Sequence, residues 1–289
     1  MNEPIVPTHA RPLVSIIIPT KNSAEYLSKT LSSISAQTYV PIEIIVVDNF
    51  STDATRAIAE SFSAIVDKIG PERSVQLNRA IQVAKGEYIY RVDSDFVVDP
   101  GLVEECVNLC QAGADAIAVF NGSHPANGFW ARVREFERKM YRNDTDIVGA
   151  RFIRARLMRT IGGFDSSLVA GEDYDLHNKL LMIGARIEFS TLGELHLGEP
   201  KTLKEYVSKN FYYGTTIGRY VRRYPLRSIK QFNPVRGAYI RNNRQFASQP
   251  RLAIGFFVLL SLKYAAAACG MIVGILRLLS RQTEGERLE

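Results

Sequence analysis

The chain has 289 residues, of which 46% are hydrophobic and 23% are charged. This composition is that of a globular protein and excludes a largely disordered one, and the length allows one large domain with an appendage or two domains. The formal net charge of +6 is carried by residues 199–251, where twelve Lys or Arg stand against two Glu, so that the rest of the chain is mildly acidic. A basic segment of this kind favours contact with a phosphate-rich surface, either anionic lipid or nucleic acid.

The first twelve residues and the three cysteines indicate the cellular compartment. Residues 1–12 are polar, contain prolines and have no apolar run, so we expect no secretory signal. Cys106, Cys110 and Cys269 lack the even number and spacing of a disulfide framework. We therefore predict that all three are reduced and structural, and that the protein works on the cytoplasmic side of a membrane.

Strands and helices alternate along the first 120 residues. Short apolar runs rich in β-branched residues predict buried strands, and apolar residues at helical spacing after polar capping residues predict helices. Residues 126–147 are highly charged and less regular, and residues 151–197 mix both patterns. The predicted strands are 13–18, 42–47, 88–92 and 116–120, and the predicted helices are 22–35, 51–62, 75–84 and 101–110.

This alternation predicts a parallel sheet covered by helices on both faces. Ligands of such sheets bind beyond the carboxyl ends of the strands. Three polar loops lie at those ends: Thr20-Lys21-Asn22, Asp48-Asn49-Phe50-Ser51 and Asp93-Ser94-Asp95. We expect the three loops to form one binding site.

Asp93-Ser94-Asp95 places two carboxylates at the end of an apolar strand. Carboxylates and diphosphate oxygens are the ligands that Mg²⁺ and Mn²⁺ prefer, so the motif predicts a divalent metal that neutralises a leaving diphosphate. The alternative for such a short motif is a solvated turn. Its neighbours in the sequence are needed to decide.

Five short motifs follow one another along the chain. They are Val14-Ser15-Ile16-Ile17-Ile18-Pro19-Thr20-Lys21-Asn22, Ile45-Val46-Val47-Asp48-Asn49-Phe50-Ser51-Thr52-Asp53, Asp93-Ser94-Asp95, Gly162-Gly163-Phe164-Asp165 and Gly171-Glu172-Asp173. In this order they resemble glycosyltransferase family 2, with its GT-A fold. That resemblance implies an α/β, Rossmann-like domain with a mostly parallel central sheet flanked by helices, over residues 12–198.

The resemblance also implies roles for individual residues. Asp95 would be the direct metal ligand, and Asp93 would contact both metal and ribose. Arg73 and Asn78 match the family's helix start only in part, because Ala80-Ile81 stands near its usual glycine. Thr20 and Asp53 have the alternative role of helix caps. The implied nucleotide-binding residues are Pro19, Thr20, Asn22, Asp48, Arg73, Asn78 and Asp93.

Asp173 matches the family's catalytic base, the carboxylate that removes the proton of the attacking acceptor hydroxyl. Its position at a predicted helix start is also favoured by the helix dipole. His196 is a candidate third metal ligand, with a structural histidine as the alternative. The implied acceptor loop comprises Gly162, Gly163, Phe164, Asp165 and Glu172, and an ordinary turn is the other interpretation.

The C-terminal part predicts membrane contact. Residues 199–251 interleave aromatic and basic side chains, residues 252–277 form an apolar segment whose charges are Lys263 and the terminal Arg277, and residues 278–289 form a polar tail. Aromatic and basic residues together are typical of a bilayer interface. The apolar segment is long enough to span a membrane, but it could also lie in the interface, form a hairpin broken near Gly270, or pack as a core helix.

We therefore predict an inverting glycosyltransferase that uses a nucleotide-diphosphate sugar, Mg²⁺ or Mn²⁺ and a lipid-linked or otherwise membrane-borne hydroxyl acceptor. A UDP-sugar is the first choice of donor, with GDP- or dTDP-sugars as alternatives, and no nucleic acid partner is expected. A nucleotidyltransferase is the second hypothesis, although it would need a phosphate loop rich in glycine and lysine, where only Lys21 is present. A non-catalytic module that binds anionic membrane or nucleic acid is the third.

Overall fold

A central eight-stranded sheet organises the chain. The structure is a computed structural model and describes residues 11–62 and 64–285. The strands stand in the order β3-β2-β1-β4-β7-β6-β8-β5. They are β1 Val14–Thr20, β2 Ile42–Asp48, β3 Ile65–Lys68, β4 Tyr88–Arg91, β5 Phe96–Val98, β6 Ala116–Ser123, β7 Ala150–Arg154 and β8 Ile187–His196.

Most strands run in one direction, as the sequence predicts. β1 is parallel to β2 and β4, β2 to β3, and β6 to β8. The antiparallel strand β7 lies between β4 and β6, and β5 pairs antiparallel with β8. The carboxyl ends of β1, β2, β4 and β8 therefore meet at one edge of the sheet.

Helices cover both faces, and one buried apolar cluster lies under each layer. The first cluster contains Ile16, Leu31 and Cys106, and the second contains Ile17, Leu77 and Leu180. Adjacent residues of β1 thus serve opposite faces, as the pleat of a strand requires. The helices of this part are α1 Leu27–Ser35, α2 Thr55–Ser61, α3 Arg73–Val83, α4 Leu102–Gln111, α5 Gly128–Met140, α6 Ala155–Thr160 and α7 Glu172–Met182.

Several boundaries differ from the sequence-based prediction. Helix α1 begins at Leu27 rather than Asn22 or Ser23, because Ser23 opens a turn in which its carbonyl accepts from Tyr26 and Leu27. The short strands β3 and β5 were not predicted. Residues 126–147, expected to be irregular, contain the regular helix α5, whose inner face includes Val133, Phe136 and Met140.

The C-terminal part is wholly helical. It consists of α8 Leu203–Thr216, α9 Gly218–Arg223, α10 Pro225–Gln231, α11 Gly237–Arg241, α12 Arg244–Ser248 and α13 Pro250–Gly285. Helix α13 runs without a break through Gly270, which excludes the hairpin among the alternatives for this segment. Residues 250–277 are long and apolar enough to cross a membrane. Cys106 and Cys110 are buried and free, whereas Cys269 on α13 is free but exposed, contrary to the structural role predicted for it.

Candidate active site

A polar cleft lies at the edge of the sheet where the carboxyl ends of β1, β4 and β8 meet. The loop after β1, the turn between β4 and β5, the end of β8, the start of α7 and helix α8 all contribute side chains to it. Ser23 and Thr30 fix the turn between β4 and β5: their hydroxyls bond the side chain of Ser94 at 2.8 Å and its carbonyl at 2.9 Å. This turn carries Asp93 and Asp95 into the cleft.

Asp95, His196 and Glu199 form a line of three ionisable groups on one wall. His196 Nε2 lies 2.9 Å from Asp95 Oδ2, and its Nδ1 lies 3.2 Å from Glu199 Oε1. Burial alone would lower the pKa of His196, but the hydrogen bonds to the two carboxylates outweigh it and raise the pKa. Glu199 is itself anchored by Arg138 at 2.7 Å. An imidazole held from behind by a carboxylate presents its other nitrogen in a fixed direction.

Two neighbours fix this geometry further. The ring of His196 stacks on Phe96 with centroids 4.6 Å apart and an interplanar angle of 4°. Gly198 leaves the room that the carboxylate of Asp95 occupies, since a Cβ at this position would overlap Oδ2 of Asp95. The pairing of β5 with β8 therefore brings the metal motif and His196 together, with Phe96 directly opposite His196 in the register.

Asp93 faces arginines instead. Its carboxylate pairs with Arg73 at 3.1 Å and with Arg151 at 2.5 Å. Burial would raise the pKa of Asp93, but Arg91, Arg151 and Arg73 together hold it far below the usual range. Burial and the nearby Arg91 lower the pKa of Arg151 to about 10. Both oxygens of Asp93 are thus engaged by guanidinium groups.

Asp173 also lines the cleft, from the first turn of α7. Gly171 before it adopts φ 85°, and a Cβ there would collide with the ring of Tyr220. The carboxylate pairs with Arg91 and, at 3.4 Å, with Arg73, yet 41% of the side chain stays exposed. Burial would raise the pKa of Asp173, but Arg91 and Arg73 overcome it and lower the pKa, so the group is ionised at neutral pH.

The structure gathers many of the predicted residues in this cleft. Thr20 and Asp48 lie just behind it: both are buried, Thr20 Oγ1 bonds Asp48 at 3.4 Å, and the main chain of Ser51 donates to Asp48 at 3.0 Å. These two residues hold the loops after β1 and β2 in place, and Thr20 is not a helix cap because it ends β1. The predicted residues that line the cleft are Pro19, Asn22, Arg73, Asp93, Asp95, Asp173 and His196.

Other predicted residues lie away from the cleft lining. Asn78 exchanges hydrogen bonds with the main chain of Phe164 at 2.8 and 2.9 Å, and Phe164 is buried in the core. Asp165 pairs with Arg223 at 2.5 Å, and Glu172 binds Arg73. Gly162 and Gly163 adopt φ 74° and 65°, as a tight turn requires. The acceptor role of this loop stays a prediction. Asp53 stands one residue before the N-cap Ala54 of α2 and accepts from the main chain of Thr55 at 3.0 Å.

Sequence reasoning missed several residues of the site. Glu199, three positions after His196, could have been found as its carboxylate partner by spacing. Arg91 and Arg151 lie inside buried strands. Since arginine is rarely buried unless it is paired, this placement could have indicated that both belong to the site. Lys209 and Tyr213 of α8 also line the cleft, and only the folded chain shows that this helix reaches the site.

Comparison with known proteins identifies the family. The sequence profile of glycosyl transferase family 2 matches residues 15–165, which are more than half of the chain. The chain belongs to glycosyl transferase family 2. Both the predicted family and the predicted GT-A fold are confirmed.

One relative of this family 2 chain is much longer than the chain itself. A chondroitin synthase from Pasteurella multocida is 29% identical over 191 residues, which cover 61% of the chain and 20% of that synthase. The chain therefore spans about a fifth of this relative.

Solved structures share the fold. A mannosyltransferase from Pyrobaculum calidifontis in complex with GDP-Man and Mn²⁺ has a TM-score of 0.67 at 17% identity, covering 92% of this chain and 88% of that one. TarS 1–349 from S. aureus in complex with UDP-GlcNAc has a TM-score of 0.53 at 17% identity, covering 88% and 90%.

Proposed function

We propose that the protein is an inverting glycosyltransferase that moves a sugar from a nucleotide-diphosphate sugar to a hydroxyl of a membrane-borne acceptor. The observation that carries this proposal is a single cleft that contains the pair Asp95 and His196 together with the partly exposed carboxylate of Asp173. A donor bound in this cleft would place its diphosphate beside Asp95 and His196 and its sugar beside Asp173. Membership of the family supports the reaction class.

The residues fit a divalent metal. A carboxylate oxygen and an imidazole nitrogen 2.9 Å apart match the spacing of two adjacent ligands around an octahedral ion with bonds of about 2.1 Å. Asp95 and His196 would hold the ion, while Glu199 orients the imidazole. When bound, the ion would neutralise charge on the departing diphosphate. The engagement of Asp93 by two arginines favours Asp95 over Asp93 as the direct ligand, and the Mn²⁺ in the related mannosyltransferase structure agrees with such a site.

Asp173 would act as the base. The acceptor oxygen forms a bond to the anomeric carbon while the bond from that carbon to the diphosphate breaks, and Asp173 takes the hydroxyl proton. Arg91 holds one carboxylate oxygen and keeps the group ionised. Arg73 lies at 3.4 Å from the other oxygen and is 40% exposed in the cleft, so a donor diphosphate would compete for it. Drawing Arg73 towards the diphosphate would free that oxygen to accept the proton.

The C-terminal helices support a membrane-borne acceptor. Helix α8 places Lys209 and Tyr213 in the cleft, while its Gly214 packs directly on Ala267 of the apolar helix α13. The cleft and the apolar helix therefore share one wall. An acceptor anchored in lipid beside α13 would reach the cleft along α8, on a cytoplasmic membrane face where nucleotide sugars are available.

A donor screen tests the proposal. UDP-, GDP- and dTDP-sugars are added with and without Mn²⁺, and the melting temperature is followed because a ligand of the native state raises it. We expect a metal-dependent rise with one donor class, release of nucleoside diphosphate, and loss of the rise in Asp95→Asn. In Asp173→Asn donor binding should persist while turnover falls by about 10²- to 10⁴-fold. Glu60→Gln, an exposed acid of α2 paired with Arg56, is the control and should match the unsubstituted chain.

Two results would contradict the proposal. Turnover that survives both substitutions would remove Asp95 and Asp173 from the chemistry. Release of pyrophosphate instead of nucleoside diphosphate would identify a nucleotidyltransferase.

A further inference from the structure

One side of helix α13 packs against helices α5 and α8. Near its start, Gly255 lies against Val133 and Phe129 of α5, where a Cβ would be 2.6 Å from Val133. Near its end, Gly270 and Gly274 lie against the main chain of α8, so closely that a Cβ at either position would overlap it. Both halves of the apolar segment are thus fastened to helices that also serve the catalytic domain.

The opposite side of α13 is an uncharged stripe of exposed residues spaced three or four positions apart. Large apolar side chains, between 38% and 67% exposed, form the two ends of this stripe, and Ser261, Ala265, Ala268 and Cys269 are exposed between them. From residue 254 to residue 276 the stripe is about 33 Å long at 1.5 Å per residue. We call this surface the α13 stripe; it comprises Ile254, Phe257, Val258, Ile272, Ile275 and Leu276.

The single charge within residues 252–276 does not interrupt this stripe. Lys263 is turned towards the protein, where its Nζ lies 3.7 Å from Glu137 of α5. The desolvation cost expected for a lysine in an apolar helix is therefore met by a carboxylate on the packed side. The stripe itself stays uncharged between Arg251 and Arg277.

The neighbours of α13 exclude one orientation. If α13 crossed a bilayer, either α5 or α8 would have to enter hydrocarbon with it. α5 carries the ion-paired Arg134 and Glu137, and α8 carries Lys204 and Lys209. Each charge at the centre of a bilayer costs several kcal/mol. A helix parallel to the surface avoids this cost, because the stripe enters lipid while α5 and α8 stay above it.

Charge complementarity identifies the occupant as lipid with anionic headgroups. Between α9 and α12, exposed apolar side chains such as Leu226, at 79% exposure, and Ile229, at 68%, alternate with exposed cations. This mixture suits headgroup depth, where apolar groups enter the acyl boundary and cations meet phosphate. Four of the exposed cations are Arg222, Lys230, Arg241 and Arg244.

We propose that α13 is an in-plane anchor that binds the surface of an anionic bilayer through the α13 stripe without crossing it. This rests on the proposed function in so far as that function places the acceptor in a membrane. In-plane binding sets the cleft at headgroup height, since α8 lies between α13 and the cleft.

Cys269 makes the proposal measurable in the full chain. It is exposed, whereas Cys106 and Cys110 are buried, so an environment-sensitive maleimide dye labels position 269. With phosphatidylcholine vesicles containing phosphatidylglycerol, we expect a blue shift of the dye and at least a tenfold stronger binding than with phosphatidylcholine alone. In a Cys269→Ser background, dyes at Ile254→Cys and Leu276→Cys should be quenched equally by a headgroup-depth quencher added to the outer leaflet.

Three outcomes would overturn the in-plane anchor. Unequal quenching, with one end protected by the vesicle, would show a spanning helix. A blue shift that depends on protein concentration without vesicles would show a second copy of the chain on the stripe. Binding unchanged in Phe257→Asp/Ile272→Asp would place the contact elsewhere; we expect about tenfold weaker binding for this variant and no change for the control Met182→Asp on α7, which is 77% exposed.

Donor hydrolysis in detergent separates this proposal from the enzymatic one. Phe257→Asp/Ile272→Asp should hydrolyse donor at the unsubstituted rate. If vesicle binding fails while hydrolysis persists, the anchor is wrong and the enzyme stands. If vesicles are bound in the plane but no donor is turned over, the enzymatic proposal is wrong and the anchor stands.

Discussion

Arg91 is an arginine in a buried strand, and its position on β4 below α7 explains why it is there. It is 5% exposed and pairs with Asp173, the proposed base. The positive charge of Arg91 lowers the pKa of the Asp173 carboxyl against the effect of burial. Since a protonated Asp173 cannot accept the acceptor proton, the pair keeps the base competent at low pH.

We therefore expect Arg91→Met to move the acidic limb of the kcat/KM profile to higher pH. Without Arg91 the pKa of Asp173 rises, and activity is lost at a higher pH as the pH falls. The profile from pH 4 to 9 measures this. Arg79→Met, which removes an arginine paired with Asp67 outside the cleft, should leave the limb in place. An unshifted limb in Arg91→Met would mean that Asp173 does not titrate in the catalytic step.

Gly198 gives a second prediction at the scale of one residue. A methyl group there would overlap Oδ2 of Asp95 and push the carboxylate away from His196. Displacing a metal ligand typically costs 10- to 100-fold in affinity. Gly198→Ala should therefore raise the Mn²⁺ concentration needed for donor-induced thermal stabilisation by at least about tenfold. Gly218→Ala is the matched control, because a Cβ at Gly218 meets nothing within 4 Å. Equal Mn²⁺ requirements in the two variants would exclude Asp95 from the metal site.

At the scale of elements, helix α13 has one buried face and one exposed face. Leu259 lies on the first and Leu276 on the second, so the two leucines allow a direct comparison. Leu259 is 2% exposed and packs in the cluster that joins α5, α11 and α13, whereas Leu276 is 59% exposed. Leu259→Ala should lower the free energy of unfolding by about 2 to 5 kcal/mol, through lost burial and a cavity. Leu276→Ala should change it by no more than about 0.5 kcal/mol. Denaturant titration in detergent measures both, and similar losses would mean that α13 is not docked as described.

The elements that sequence patterns predicted share a strong apolar signal. β1 and β2 are buried β-branched runs, and α4 repeats its apolar residues at helical spacing. β3 was missed because it is four residues long with two charged members, and β5 because it has three residues and depends on β8 for its pairing. Helix α5 was missed because its charged residues obscure the apolar stripe that packs on α13.

The same contrast holds for the site. Asp95 and Asp173 stand in short motifs that a single sequence displays. The contact between Arg91 and Asp173 joins residues 82 positions apart, and that between Arg73 and Glu172 joins residues 99 apart. Such pairs depend on the order of strands in the sheet, which motif spacing does not encode. The bonds of Asn78 to the main chain of Phe164 could likewise not be read from its motif, and its nucleotide-binding role stays a prediction.

At the scale of the whole molecule, the basic and acidic residues lie in different parts of the chain. Residues 199–251 carry a net +10 and the rest of the chain is acidic, although the total is only +6. The acidic part supplies most of the cleft in which we propose that the donor binds, and the basic part borders the apolar helix. A phosphate-rich bilayer should therefore attract one end of the molecule and leave the cleft free.

Neutralising cations at each end tests this separation. One variant replaces four cations by Gln and so lowers the net charge by four: Arg222, Lys230, Arg241 and Arg244. Each cation near an anionic surface contributes about 1 kcal/mol to binding. The affinity for anionic vesicles should therefore fall up to about a thousandfold at low salt. The control changes Lys29, Arg56, Lys85 and Arg186, four exposed cations of the catalytic part, and lowers the net charge equally. Flotation with anionic vesicles measures both. If net charge alone governed binding, the two variants would lose affinity equally, whereas a local basic surface requires that the first lose far more than the second.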